Sequence, residues 1–340
     1  MKKNGINTTI NAFKGIACIG VVFIHIKFPG KLGDIIMVIS GFAVPFFFLV
    51  SGFYSYNKNS CIIMRRTKKI AKILLCALCF YGIVYFNRGY HQGEVGKYVS
   101  NVLTPENLLK VFFLGDFSLI NGTHLWFLHA LIWAYIFLYI VDWLGLDRFF
   151  LKWYVIAIVL LLKESMLFLI SIKHISWRYA GNFLFCAIPY LLLGRYLAAN
   201  ISSINKLKNR QIITGIIVGV LFCLMWAKFI YVDDQIVGTV FYSTAIFIFA
   251  IKNPQLKLGP FAYIGERYSL FIYIMHIYII SLFYKYVFDP ILCNISINNH
   301  VNDYIRPIIG VALSLLGAVV FVFIKDNINK IFTYIKYKSN

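Results

Sequence analysis

Residues 13–53 read FKGIACIGVVFIHIKFPGKLGDIIMVISGFAVPFFFLVSGF, two apolar runs joined at Pro29-Gly30 and each long enough to cross a bilayer. The first run carries Lys14 and His25, eleven residues apart, and Lys27 at its end. Eleven steps of a 3.6-residue helix come to almost three whole turns, so the two share a face, roughly 16 Å apart along the axis. Everything between them, Gly15 to Ile24, is apolar or small. An ionisable group inside a membrane segment is costly, and its default reading is a functional site with a partner. The second run, Gly33 to Phe53, turns back across the membrane and carries Ser40-Gly41 and Ser51-Gly52, again eleven apart. Small residues recurring on one face let two helix backbones approach closely.

The whole chain extends this pattern. Of 340 residues 60% are hydrophobic and 14% charged, and the mean hydropathy is +0.76, far from the roughly 25% charged content of a soluble domain. An all-α polytopic membrane protein is expected. The formal charge of +20 superficially suits nucleic acid, but the Lys and Arg fall in short clusters between apolar runs, as cytoplasmic loops do under the positive-inside rule. That pattern argues against a nucleic-acid partner. Seven cysteines sit mostly inside apolar runs with no metal-ligand spacing, and Cys76-x-x-Cys79 reads as packing within a buried segment. No metal is expected. Met1-Lys2-Lys3 before an apolar run mimics a signal peptide, yet no small-x-small cleavage site follows, so an uncleaved first helix is expected.

On a criterion of about 20 mainly apolar residues, ten spans are expected: 10–28, 34–54, 70–87, 124–141, 151–170, 180–198, 211–230, 236–251, 268–288 and 307–325. Basic residues orient them. A cytoplasmic N-terminus puts Lys2, Lys3, the run Lys58 to Lys72, Arg148, Lys152, Lys206, Lys208, Arg210, Lys252, Lys257, Arg267 and Lys325 to Lys338 inside. Lys31, Arg88, Lys97, Lys173 and Arg306 fall outside, and an even span count returns the C-terminus to the cytoplasm. The expectation is one membrane domain over residues 1–340, multi-pass in the cell membrane, with no appended soluble domain. For residues 106–114 a short interfacial helix and an ordinary loop both remain open.

This topology brings several polar groups to the outer half of the membrane. His25 lies one turn before Pro29, and Gly122-Thr123-His124 opens the fourth span, followed by Trp126. Ser269, Tyr273 and His276 share a face of the ninth span at i, i+4, i+7, and Arg178 precedes the sixth. Each has a plainer explanation: an interfacial hydrogen bond, an aromatic belt, a His satisfied by backbone, an arginine at the surface. On the cytoplasmic side Arg65, Arg66, Lys68, Lys69 and Lys72 form the densest basic cluster of the chain. Such a cluster can clasp phosphates, bind acidic lipid or merely fix topology.

Lys14-x10-His25 resembles the Arg/Lys-x10-His signature of the acyltransferase-3 family of membrane acyltransferases. Val44-Pro45-Phe46-Phe47-Phe48-Leu49-Val50-Ser51-Gly52-Phe53 is similar to that family's aromatic-rich, Ser-Gly-ended second span. Leu125-Trp126-Phe127-Leu128, Pro189-Tyr190-Leu191-Leu192-Leu193-Gly194 and Tyr268-Ser269-Leu270-Phe271-Ile272-Tyr273-Ile274-Met275-His276 resemble further family stretches in the same order. The likeness implies transfer of an acyl group, usually acetyl from cytosolic acetyl-CoA, to a hydroxyl of an envelope or exported glycan or its lipid-linked precursor. It implies His25 as base, with Lys14, Arg65, Arg66, Lys68 and Lys69 on the donor's phosphates. His124, Trp126, Arg178, Tyr273, His276 and Ser51 are the expected acceptor contacts. Two departures stand out. The family's Arg-x-x-Arg is matched only by Arg65-x-x-Lys68 and Arg66-x-x-Lys69, and Lys lacks the planar fork that grips phosphate bidentately. Gly181 stands where the family often has Arg before Asn182, with Arg178 one turn earlier. The competing reading of intramembrane His, Tyr and Arg is a transporter or flippase for a lipid-linked sugar; no matching broken helices or internal repeat support it.

Overall fold

The computed structural model describes residues 7–227, 237–288 and 299–338, and of 288, 299–301 and 331–338 the backbone only. Lys2, Lys3, Cys293 and the span ends at 228–230 and 236 lie outside the described residues. The chain is an all-α polytopic membrane protein. Its helices run α1 (Thr8–His25), α2 (Gly30–Ser40), α3 (Ala43–Phe53), α4 (Ser60–His91), α5 (Val95–Val102), α6 (Pro105–Leu109), α7 (Trp126–Trp143) and α8 (Asp147–Phe150). They continue as α9 (Trp153–Lys173), α10 (Ile188–Ala199), α11 (Ile201–Lys206), α12 (Asn209–Trp226), α13 (Thr239–Lys252), α14 (Gly259–Arg267), α15 (Ser269–Phe283) and α16 (Asn299–Lys338). Among the described residues eight segments are long and apolar enough to span, and two shorter apolar helices, Phe183–Ala199 and Thr239–Lys252, coincide with the other two expected spans. The segment between α5 and α7 holds helix Pro105–Leu109 running into a π-turn over Lys110–Leu114, where the sequence left helix and loop open.

The packing forms two compact units, Met1–Ala43 with Asn253–Asn340, and Val44–Lys252. In the first, α1 starts where the Asn7 side chain accepts from Ile10 N–H at 2.9 Å, an ordinary N-cap. It stops at His25, where Ile26 turns extended ahead of Pro29. Thr9 ties the start of α1 to the far segment: its hydroxyl donates to the Asn253 carbonyl and accepts from Leu256 N–H at 3.0 Å. Glycines then set how closely α1 and α14 approach. A Cβ on Gly15 would run into the Phe261 carbonyl oxygen, and one on Gly265 into the Asn11 carbonyl oxygen. Neither backbone can retreat without lifting one helix off the other. Gly265→Val is therefore expected to destabilise the protein by ~1–3 kcal/mol through overpacking, read as a lower melting temperature in detergent. A melting curve superimposable on the wild type would show that this contact is dispensable.

In the second unit the same device joins α3 to α10: Gly52 abuts the Leu191 carbonyl and Gly194 the Leu49 carbonyl. Helix α4 differs from expectation. It begins at Ser60, capped by Asn59 accepting from Ile62 N–H at 3.1 Å, ten residues before the expected span. The basic cluster thus lies on the helix itself. Hydropathy locates where a helix enters hydrocarbon, whereas no Gly or Pro stops this one before that point. Cys76 and Cys79, expected to be buried, are exposed on α4 along with Leu75 and Ile83. In a bilayer such a surface meets lipid, so apolar side chains there need no protein partner.

Candidate functional site

The first unit holds Lys14, His25, Tyr273 and His276. Lys14 and His25 lie on one unbroken helix. Lys14 is half-buried beside the α1–α14 contact and within electrostatic reach of Glu266. His25, the last residue of α1, is exposed. His276 is its counterpart on α15: it is 0% exposed, and the two imidazole centroids are 5.1 Å apart with planes tilted by 44°. The backbone holds His276, whose Nδ1 lies 2.8 Å from the Ile272 oxygen and 2.9 Å from the Tyr273 oxygen. Two of the expected residues, one from each end of the chain, therefore meet. Tyr273 is half-buried on the same helix.

Ser51, the basic cluster, His124, Trp126 and Arg178 belong to the second unit. The cluster divides by face. Arg65, Lys68, Lys69 and Lys72 recur at i, i+3, i+4, i+7 and are exposed. Arg66 is half-buried, with Nη1 donating to the Tyr54 carbonyl at 3.0 Å. Ser51 donates to the Phe47 carbonyl within its own helix at 2.8 Å. One arginine is thus fixed to the bundle while the remaining cations stand free to meet phosphate.

Nearer the opposite end of α7, His124 is 3% exposed and Trp126 8%. The His124 ring meets Tyr81 edge-on at 5.4 Å, and Trp126 meets Trp177 at 5.6 Å. The Arg178 guanidinium stacks over the Trp177 ring at 5.1 Å, and its Nε is 3.2 Å from Asp116 Oδ2. Burial lowers the Arg178 pKa from its usual value, and the Asp116 carboxylate opposes that shift. Asp116 in turn accepts from Ser118 N–H at 2.9 Å. A guanidinium braced by a carboxylate and an indole is preorganised to meet an oxygen-rich ligand.

Four charged residues escaped the reading of the sequence. Lys163 and Glu164 sit midway along α9, with Nζ 2.7 Å from Oε1 and side-chain exposures of 3% and 18%. Glu164 Oε2 also accepts from Gly238 N–H at 2.9 Å, and Lys163 Nζ lies over the Tyr190 ring at 5.2 Å. Arg195 Nη2 is 3.0 Å from Asp147 Oδ1. The signal was available, since 163 and 164 interrupt an otherwise apolar span at its centre. Among the described residues no three His, Cys, Asp or Glu side chains are grouped to hold a metal ion.

The chain is an all-α membrane bundle whose first helix carries Lys14 and ends on an exposed His25. Residues 7–325 match the family model described as an acyltransferase domain, and the chain belongs to this acyltransferase-3 family. It is also 26% identical over 245 residues to an amino-acid racemase of Enterococcus faecalis, a match covering 67% of this chain and 32% of the relative. The chain thus spans about a third of that curated relative's length. No solved structure matches it.

Proposed function

We propose that the protein is a cell-membrane O-acyltransferase that moves an acyl group, acetyl in the first instance, from cytosolic acyl-CoA to a hydroxyl of an envelope or exported polysaccharide or its lipid-linked precursor. The observation that carries this reading is His25: an imidazole at the open end of a membrane helix whose same face carries Lys14. Acyl transfer to a hydroxyl needs a base for its proton, and histidine is the usual choice. The hydroxyl oxygen attacks the thioester carbonyl as its proton passes to His25. The carbon–sulfur bond then breaks, and the proton goes to the departing sulfur. In the second unit the exposed Arg65, Lys68 and Lys69 hold the donor's phosphates by charge-assisted contacts, with Arg66 beside them on the same helix, and in the first unit Lys14 supplies a phosphate-binding cation on the helix of His25. Acceptor contacts fall to His124, Trp126, Arg178 and Ser51 in the second unit and to Tyr273 in the first, with aromatic faces suited to sugar rings. Both termini are cytoplasmic in this arrangement.

Neutralising Arg65, Arg66, Lys68 and Lys69 together is expected to weaken acetyl-CoA binding to the purified protein, which stays folded but melts at a lower temperature because Arg66 also donates to the Tyr54 carbonyl. Wild-type binding should itself weaken as salt rises, because exposed charges are screened. Unchanged binding after all four substitutions would leave these residues only the task of orienting the chain.

A further inference from the structure

The two histidines of the first unit differ in a way that assigns them different tasks. His25 is exposed at the end of α1, whereas His276 lies wholly inside the packing of α15. A substrate can reach the first and not the second. Yet the rings are only 5.1 Å apart between centroids, a separation at which imidazole nitrogens that face each other lie within hydrogen-bond range.

The protonation pattern of the inner ring follows from its partners. Nδ1 of His276 faces the carbonyl oxygens of Ile272 and Tyr273 at 2.8 and 2.9 Å. A carbonyl oxygen only accepts, so Nδ1 carries the hydrogen, and Nε2 of the neutral ring is left as the acceptor. The ring is also held in place. Ile272 and Ile280, one turn to either side, are 2% and 6% exposed, and α16 brings Gly310 against Ile280 and Ile26. This is the layout of a base with an orienting group behind it.

We propose that His276 is a positioning residue that acts through His25. Its Nε2 takes the N–H of one His25 nitrogen, which fixes the His25 tautomer and leaves the opposite nitrogen's lone pair facing the acceptor hydroxyl. In the transfer step His276 gains no proton. The hydroxyl proton goes to His25 and from there to the CoA sulfur as the carbon–sulfur bond breaks, while His276 supports the His25 imidazolium through the shared hydrogen bond. The inference rests on the assignment of His25 as base and gives His276 a task other than touching the acceptor.

The test uses the full chain purified in detergent, following thiol release from acetyl-CoA supplied with envelope glycan extracted from cells that lack the protein. His276→Leu removes the acceptor at Nε2 and is expected to lower kcat by roughly 10–100-fold, the usual scale for loss of an orienting partner, with KM for acetyl-CoA unchanged. His276→Gln, whose side-chain oxygen falls near the position of Nε2, should recover much of that loss. His276→Asn, which reaches only the Nδ1 position, should not. Because the pair works as a unit, adding His276→Leu to His25→Ala should cost nothing further. A His276→Leu or His276→Gln protein that folds, with Gln no better than Asn or Leu, or an additive double variant, overturns the inference. If His25→Ala is inactive while His276→Leu keeps the wild-type kcat, this inference alone fails. If His25→Ala is itself fully active, the base assignment fails and takes the inference with it.

Discussion

His25→Ala is expected to lower the acyl-transfer rate by on the order of 10²–10⁴-fold, the contribution of a positioned general base, while abundance and acetyl-CoA binding stay near normal. The reason is where the side chain sits. His25 is exposed at a helix end, so truncating it opens no cavity in the core, and alanine in a membrane helix costs little. A histidine kept for structure would show the reverse pattern, with less protein made and the surviving protein active. Lys14 offers a contrast on the same helix. Lys14→Arg should be tolerated far better than Lys14→Ala, because position 14 requires a cation and position 25 requires a group that can take and return a proton. The assay is thiol release per mole of purified protein, with CoA binding measured separately.

Glu164→Ala is expected to be the most destabilising single change, at about 3–5 kcal/mol, because it strands a buried cation. Lys163 has a 3% exposed side chain and lies 2.7 Å from the Glu164 carboxylate. The same carboxylate receives the Gly238 N–H, so its loss leaves a second donor inside the bundle without its acceptor. The paired change Lys163→Met with Glu164→Gln removes both charges and keeps an oxygen for Gly238. It should recover most of the stability, as exchange of a complete buried pair for neutral groups often does. Unfolding in detergent, followed by melting temperature, separates the cases. Equal stability of Glu164→Ala and the double variant would mean that the ion pair does not hold α9 in place.

Much of this architecture was legible in the chain itself. The eleven-residue spacing of Lys14 and His25 places both on α1, because helical period is a local property that sequence reports directly. The same holds for Gly52, whose role in close packing against α10 followed from the Ser-Gly repeat. Other features depend on residues far apart. Gly15 and Gly265 are separated by 250 positions, and nothing in either neighbourhood says that they interlock. The meeting of His25 with His276 is hidden for the same reason. The division of the basic cluster is intermediate. The i, i+3, i+4, i+7 recurrence of Arg65, Lys68, Lys69 and Lys72 can be read from spacing, but the attachment of Arg66 to the Tyr54 carbonyl depends on how the chain folds back between α3 and α4. The early start of α4 was missed because a hydropathy criterion ignores charged helical turns outside the hydrocarbon.

The measurement closest to the central claim is mass spectrometry of envelope glycans from cells carrying the wild-type protein, no protein, or well-expressed His25→Ala protein. An acyl transferase whose base is His25 should leave one acyl modification present in the first sample and absent from the other two, with the protein present in the third. Normal glycan acylation in the His25→Ala cells would contradict the mechanism, and a transport role for the bundle would then become the leading explanation.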